Sequence, residues 1–296
     1  SSFLQFAVPL QRPWVWGPVR LTPYQIVTLV VAAGLGLGVH LLLTRTTLGR
    51  VLRAMATPLL GHLDPAFLGI MAEVQEMLRA VFQTGNRLTL PISATGMAGM
   101  ETCLVNLVEP GDKVVICNGG FFSNRMVDVA GRCGTHVTEI KRKWGEAFTF
   151  DEIAEAVRRV KPKVLGVVHA ETSTGVLQPL AGLGDLCRET GTLLVIDAVT
   201  SLACVPVELD AWGVDAAYSC SQKGLACPPG LSPISFSQRA LDTLHNRKTK
   251  VQSWFLDLSL VMNYWTDQGG ARTYHHTAPV NALFGLHEAL LMLREE

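Results

Sequence analysis

The first 56 residues contain no acidic side chain, although they include Arg12, Arg20, Arg45, Arg50 and Arg53. Over the whole chain, 25 basic residues balance 25 acidic residues, and the formal net charge is zero. A chain without excess positive charge gives no reason to expect nucleic acid as a partner. The uneven distribution of charge indicates that the chain consists of two unlike parts.

Low-complexity linkers and internal repeats are also missing from the sequence. Charged residues make up 17% of the chain and hydrophobic residues 48%, which argues against intrinsic disorder. A length of 296 residues accommodates one large domain or two ordinary domains with an ample core.

No two cysteines have the C-x-x-C spacing, and their number, seven, is odd. Most of them lie in apolar strand or helix patterns, so we predict buried free thiols in a reducing compartment. Cys220 and Cys227 flank Lys223, but no base lies at a readable spacing, which disfavours a thiol nucleophile. The pair His275 and His276 is disfavoured as a metal site because adjacent histidine side chains diverge.

Residues 24–44 carry no charge, and the 18 residues from Ile26 to Leu43 are nearly all apolar. At a rise of about 1.5 Å per residue, this segment approaches the thickness of a bilayer core and is a transmembrane candidate. The alternative is a buried core helix. The arginines after it would leave the rest of the chain in the cytoplasm. The glycines of "GLGLG" lack the spacing of a dinucleotide-binding loop, and the segment begins too late for a signal peptide.

After Met55 the sequence alternates between strand and helix patterns. Strands are predicted over residues 88–93, 113–119, 136–142, 163–171, 192–199 and 230–237, with another ending at Cys220. Helices are predicted over residues 66–83, 123–134, 149–162, 180–191 and 281–296. Continuous apolar strands between helices predict an α/β fold around a mostly parallel sheet.

Residues capable of chemistry follow these strands, at the sheet edge where open α/β folds bind ligands. Asp197 stands at the end of one strand, and Lys223 follows a neighbouring strand 26 residues later. The small residues 94–99 open a helix and provide a backbone cradle for an anion. Aromatic residues follow the strand over 113–119, and hydroxyl residues follow the strand over 163–171.

An amine, a buried acid, an anion cradle and an aromatic side chain together match the requirements of pyridoxal phosphate. This cofactor needs a lysine for a Schiff base, a carboxylate against its pyridine nitrogen and a site for its phosphate. The lysine would then serve as an amine, which explains a lone Lys223 among small residues.

Seven segments carry a resemblance to a known family: "VFQTGNRLTLPISATG", "LVNLVEPGDKV", "HAETSTGVLQPL", "LLVIDAVTSL", "SQKGLACPPG", "NRKTK" and "RTYHHTAPVNALFGLHEAL". From about Thr57 to Glu296 the chain resembles the class V aminotransferases, in the alanine–glyoxylate and serine–glyoxylate group. The resemblance implies the large domain of a fold-type-I pyridoxal-phosphate enzyme. It also implies a homodimer with shared active sites that moves an amino group from alanine or serine to glyoxylate.

The resemblance also assigns roles to residues. Lys223 is expected to form the Schiff base and to carry the proton at the substrate Cα, while Asp197 pairs with the pyridine nitrogen. The other cofactor-binding residues implied are Thr95, Gly96, Met97 and Gln222 around the phosphate, Phe122 and Val199 against the ring, Thr172 near the ring hydroxyl, and Tyr274 and Thr277 toward the partner subunit's phosphate. Met97 stands where relatives commonly have histidine, and Phe122 where close relatives often have tryptophan.

The ends of the chain depart from the family pattern. Residues 1–56 resemble part of a branched-chain amino-acid transporter permease, which suggests a chimaera or a membrane-tethered enzyme. We expect a cofactor-binding domain over 57–280, and residues 281–296 as the start of the helix leading to a small C-terminal domain absent here. In the family that domain supplies the arginine that binds the substrate carboxylate, and no arginine here is assigned that role.

Three other functions remain open at this point. The chain could be a permease fragment with an inactive passenger domain, or a dimerising scaffold without catalysis. It could also be another class V enzyme, such as a lyase or cysteine desulfurase, although such an enzyme is expected to have a histidine at the position of Phe122.

Overall fold

The structure of the chain, a computed structural model, describes residues 14–265 and 273–295. The chain divides into two compact units, Ser1–Arg53 and Ala54–Glu296. The first unit holds the long apolar segment, and the second holds the alternating strands and helices.

In the first unit, the strands β1 (Trp14–Trp16) and β2 (Val19–Leu21) form an antiparallel hairpin. Helix α1 follows over Pro23–Arg45, and α2 over Thr47–Met55, whose last two residues belong to the second unit. A capping box between Thr22 and Gln25 begins α1, with proline in its first turn. The "GLGLG" segment lies inside α1, so it forms no ligand-binding loop.

Helix α1 is apolar on all sides. Its most apolar 18-residue window has a mean hydropathy of 2.4, and none of that window is buried. By length and composition, this helix could cross a membrane. The hydroxyls of Thr28 and Thr44 donate to the carbonyls of Tyr24 and His40, so the helix itself satisfies these polar groups.

The described residues of the second unit form nine helices and nine strands, which largely alternate along the chain. The helices are α3 (Pro65–Val81), α4 (Gly96–Leu107), α5 (Phe121–Arg132), α6 (Phe150–Val160), α7 (Leu183–Thr190), α8 (Leu209–Trp212), α9 (Gln238–His245), α10 (Leu258–Trp265) and α11 (Val280–Glu295). The strands are β3 (Leu88–Ile92), β4 (Lys113–Asn118), β5 (His136–Lys141), β6 (Val164–Val168), β7 (Ala170–Glu171), β8 (Val176–Leu177), β9 (Leu193–Asp197), β10 (Ala216–Tyr218) and β11 (Ser232–Phe236).

Seven of these strands form one sheet in the order β3-β11-β10-β9-β6-β4-β5. Strand β11 runs antiparallel to both of its neighbours, and the other neighbouring pairs are parallel. Every residue of β3, β6, β9, β10 and β11 is buried, as expected for strands covered by helices on both faces. The predicted α/β fold with a mostly parallel sheet is therefore confirmed.

The structure changes some predicted boundaries. The strand predicted over 163–171 divides into β6 and β7, because the backbone of His169 turns to bond the carbonyl of Asp197 and β7 then pairs with β8. Helices α8, α9 and α10 were not predicted. Six cysteines are buried as expected, but Cys204 is exposed.

Candidate active site

Three neighbouring parallel strands bring the predicted site residues to one edge of the sheet. Asp197 is the last residue of β9, and it pairs in register with Val168 of β6 and with Tyr218 of β10. The segments that continue from these three strands contain Thr172, Val199 and Lys223. The order of the strands thus gathers residues that lie up to 51 positions apart in the sequence.

The carboxylate of Asp197 is buried, with 3% of the residue exposed. Its Oδ2 accepts a hydrogen bond from the Tyr218 hydroxyl at 2.7 Å, and its Oδ1 accepts one from the Val199 amide at 2.8 Å. Burial raises the pKa of Asp197 to about 6, although these two hydrogen bonds act in the opposite direction. A buried carboxylate held this way is suited to bind a cationic group. Sequence reasoning missed Tyr218.

Lys223 lies in the loop between β10 and β11, and its side chain is exposed. Among the described residues, no partner forms a hydrogen bond or ion pair with its amine. The loop itself is fixed: the buried Ser221 hydroxyl donates to the Pro228 carbonyl at 2.7 Å, and the Ala226 amide donates to the Lys223 carbonyl at 2.9 Å. Ala226 has a φ of 51°, a conformation uncommon for alanine. A fixed backbone therefore presents an unpaired amine.

The predicted anion cradle lies at the beginning of α4. Thr95 is the N-cap residue of α4, but its hydroxyl makes no capping hydrogen bond. The Thr95 side chain therefore leaves the first amides of α4 without an acceptor. Gly96 packs closely on the lysine loop, since a Cβ atom there would lie 3.0 Å from the Cβ of Cys220. Gln222 is exposed beside Lys223. The cradle and the lysine loop are thus adjacent, as an anionic ligand shared between them requires.

Arg125, another residue that sequence reasoning missed, connects the cradle with α5. Its Nη1 lies 3.3 Å from the Sδ of Met97, and its guanidinium carbon lies 4.8 Å and 5.3 Å from the ring centroids of Phe121 and Phe122. Such contacts are cation–π interactions. The i, i+3 spacing of Phe122 and Arg125 on a helix could have indicated this contact. Met97 and Phe122 are therefore brought together through Arg125.

Thr172 lies on the segment that follows β7. Its hydroxyl is 3.4 Å from the hydroxyl of Thr200, which in turn donates to the carbonyl of Ala170 at 2.5 Å. These bonds join the segment after β6 to the segment after β9, next to Val199. The structure therefore places Thr172 and Val199 on neighbouring segments.

Tyr274 and Thr277 form a separate pair. Both residues are exposed, and their hydroxyl oxygens lie 3.3 Å apart. Within the described part of the chain, these hydroxyls bond each other and none of the other predicted site residues.

The histidines between Tyr274 and Thr277 are engaged with neighbouring side chains. The Nδ1 atoms of His275 and His276 lie 2.7 Å apart, and the Nε2 of His276 lies 2.6 Å from the Ser93 hydroxyl. Burial lowers the pKa of His276 to about 4, helped by His275 and His62. No cluster of metal-ligating side chains occurs in residues 14–265 and 273–295. The histidines anchor this segment to the end of β3.

Comparison with known proteins places these features in a family context. The family model described as aminotransferase class-V matches residues 52–296. Alanine–glyoxylate aminotransferase of Mus musculus is 42% identical over 247 residues, which cover 83% of this chain and 60% of that protein. The crystal structure of alanine–glyoxylate aminotransferase from Nostoc sp. is similar with a TM-score of 0.81 and 54% identity, over 83% of this chain and 64% of that chain.

A second solved structure is similar at lower identity. Ureidoglycine–glyoxylate aminotransferase from Bacillus subtilis has a TM-score of 0.79 and 38% identity, over 83% of this chain and 63% of that chain. This chain thus spans about three fifths of the length of these relatives.

Proposed function

The chain belongs to the class V aminotransferase family, and we propose that it transfers an amino group from a small amino acid to glyoxylate with pyridoxal phosphate as cofactor. The observation that carries this proposal is that a buried acid and an amine without a partner among the described residues stand at the same edge of the sheet. Asp197 ends β9 and Lys223 follows the adjacent parallel strand β10, and the first residue of α4, Gly96, packs against Cys220 and Val199 of the same two segments.

The residues present fit pyridoxal phosphate, the cofactor that membership of the class V aminotransferase family implies. When bound, the cofactor supplies a protonated pyridine ring that accepts the electron pair left at the substrate Cα after proton removal. Burial favours the neutral form of the Asp197 carboxyl group, and an adjacent positive charge would favour its ionised form. Asp197 therefore suits the cationic ring nitrogen. This contact would keep the ring nitrogen protonated.

Lys223 would act through its amine. Its exposed side chain has no hydrogen-bond partner among the described residues, so the amine is available to hold the cofactor covalently and then to move a proton at the substrate Cα. The fixed backbone around Ser221 would return the amine to the same position in each cycle.

Other predicted residues would hold the remaining parts of the cofactor. Thr95, Gly96 and Gln222 would bind its phosphate, and Met97 would lie beside it. Phe122 and Val199 would contact the two faces of the ring, and Thr172 would lie near the ring hydroxyl. The adjacency of the cradle to the lysine loop supports the first of these assignments, and the bond between Thr172 and Thr200 supports the last.

We also propose a homodimer in which Tyr274 and Thr277 reach the cofactor phosphate of the partner subunit. Their exposed hydroxyls, 3.3 Å apart, could donate to one phosphate. Analytical ultracentrifugation would test the dimer. Mixing Lys223→Ala subunits with Tyr274→Phe/Thr277→Val subunits would test sharing, since only a shared site restores activity in the mixed dimer.

The substrate proposal is tested with purified chain loaded with pyridoxal phosphate. Alanine, serine and (S)-ureidoglycine would each be offered with glyoxylate, and glycine formation would be measured. Glycine formation with at least one of these donors is expected. Release of sulfur from cysteine without glycine formation would instead favour a desulfurase.

For residues 1–56, we propose that α1 anchors the chain in a bilayer with the cofactor-binding domain in the cytoplasm. The helix is 23 residues long and apolar on all sides, Arg45 is its last residue, and Arg50 and Arg53 follow it. Extraction of membranes at alkaline pH should leave the chain in the pellet. A variant with Leu35→Arg and Leu37→Asp should appear in the supernatant instead. Retention of both the wild-type chain and the variant in the pellet would contradict a membrane-spanning α1.

A further inference from the structure

Glu171 is a buried carboxylate that faces the beginning of α5. It is 5% exposed, and its Oε1 accepts a hydrogen bond from the Phe122 amide at 3.2 Å. Its Oε2 accepts hydrogen bonds from the Ser123 amide at 3.0 Å and from the Ser123 hydroxyl at 3.2 Å. An acidic side chain 49 residues away therefore caps this helix, whose own N-cap residue is a glycine.

Ser173 completes the cap. Its hydroxyl accepts a hydrogen bond from the Phe121 amide at 2.9 Å and donates one to the Oε1 of Glu171 at 2.7 Å. The first three amides of α5, which a helix leaves without intrahelical partners, thus all find acceptors on residues 171 and 173. The negative charge of Glu171 also opposes the positive end of the helix dipole.

The fit between Glu171 and α5 is close. A Cβ atom built on Gly120 would overlap the Cγ and Cδ atoms of Glu171, so only glycine at residue 120 leaves room for this side chain. Burial alone would raise the pKa of Glu171, but hydrogen bonds from Ser173, Ser123 and Phe122 lower it below its ordinary value. Glu171 is thus held ionised against the helix.

Thr172 lies between the two capping residues and contacts a different segment. Its hydroxyl meets that of Thr200, on the segment that also carries Val199. Residues 171–173 therefore contact two elements: α5, which carries Phe122, and the segment that contains Thr200. These are the two walls between which the cofactor ring is proposed to lie.

We infer that Glu171 is a positioning residue that sets the separation of Phe122 from the Val199 segment and so determines how tightly and in what orientation pyridoxal phosphate binds. The inference rests on the proposed function. Glu171 would not touch the reacting atoms but would act through the backbone of α5. Loss of its charge would loosen the first turn of α5 and let the Phe122 ring move.

The test compares Glu171→Gln with Glu152→Gln in the full chain. Glu152 is a matched control, because its carboxylate caps α6 by accepting from the Thr149 amide and hydroxyl, both at 2.7 Å. Three quantities would be measured: amide hydrogen exchange at residues 121–123 without cofactor, the dissociation constant of pyridoxal phosphate, and the circular dichroism of the bound cofactor.

For Glu171→Gln, we expect faster exchange at residues 121–123, a weaker circular dichroism band and about tenfold weaker cofactor binding, as for loss of a buried hydrogen bond to a charged group. Glu152→Gln should change none of the three. Faster exchange with wild-type cofactor affinity and circular dichroism would overturn the inference and leave the proposed function standing. Failure of the wild-type chain to bind pyridoxal phosphate would overturn both.

Ser173→Ala provides a milder variant should Glu171→Gln fail to fold. It removes the acceptor of the Phe121 amide and keeps the Glu171 carboxylate. The same changes are expected at about one third of their size in free energy, or roughly twofold weaker binding. Unchanged cofactor affinity in a folded Ser173→Ala protein with faster exchange at Phe121 would contradict the positioning role.

Discussion

The hydroxyl of Tyr218 donates a 2.7 Å hydrogen bond to the Oδ2 of Asp197, from the adjacent parallel strand and in direct register with it. The two side chains are both almost completely buried. This bond works against the effect of burial on the Asp197 pKa and fixes the direction in which the carboxylate points. The proposed cofactor contact therefore depends on a strand register as well as on the acid itself.

Replacement of Tyr218 by phenylalanine removes this bond and leaves the ring in place. The pKa of Asp197 should then rise further, since the bond lowers it, and pyridoxal phosphate should bind about tenfold more weakly. Fluorescence titration of the cofactor measures the change. Tyr264→Phe, which removes another buried phenol hydroxyl that donates to the His62 carbonyl, should have little effect on affinity. Equal effects of the two variants would refute the specific role of Tyr218.

Asp197 should make the stability of the cofactor-free protein depend on pH. Its pKa of about 6 in the folded chain lies above its ordinary value of 3.8, so the folded state holds the proton more tightly than the unfolded state. The stabilisation is fully present below pH 3.8 and is lost as pH rises through 6, by up to about 3 kcal/mol. Burial lowers the pKa of His169 and of His276 to about 4, so these two residues stabilise the fold as pH rises over the same range. The decline is therefore read from the difference in urea unfolding between the wild-type protein and a variant without the Asp197 carboxyl group.

Asp197→Asn is the variant that isolates this dependence. Between pH 4 and pH 8, its unfolding free energy should increase relative to that of the wild-type protein by up to about 3 kcal/mol, because an amide does not titrate there. The same variant should bind pyridoxal phosphate poorly, since it cannot pair with a cationic ring nitrogen. Identical pH profiles for the two proteins would show that Asp197 titrates normally.

Lys223→Ala should abolish transamination while leaving the fold intact, because the side chain is exposed and has no hydrogen-bond partner among the described residues. Loss of a residue that moves a proton should lower turnover by about 10³-fold or more. Steady-state glycine formation measures this loss, with the exposed Lys143→Ala as control. Turnover within tenfold of wild type would remove Lys223 from the catalytic role.

Two glycines should respond oppositely to alanine. A Cβ on Gly99 would overlap the Ser232 hydroxyl and lie 2.9 Å from the Cβ of Tyr218, so Gly99→Ala should destabilise the fold by about 1–3 kcal/mol. Gly131, on α5, has open space around it, and Gly131→Ala should stabilise by roughly 0.5–1 kcal/mol. Thermal unfolding compares them. A stable Gly99→Ala protein would show that α4 can move away from β10.

The alternation of elements could be read from the sequence because it depends on local periodicity. Buried strands such as β9 are unbroken apolar runs, and helices such as α6 begin at a capping box between Thr149 and Glu152. Helices α8 to α10 were missed because they are short, at four to eight residues, and give a weak periodic signal.

The chemical groups at the ends of the strands, including Asp197 and Lys223, can be read from the amino-acid sequence, since position after a strand is a local property. Which of these groups meet depends on the tertiary structure. The pairing of Tyr218 with Asp197 depends on strand order and register, the cap of α5 by Glu171 spans 49 residues, and the exposure of Lys223 depends on how its loop folds. Such contacts form between residues far apart in the chain, so local periodicity does not predict them.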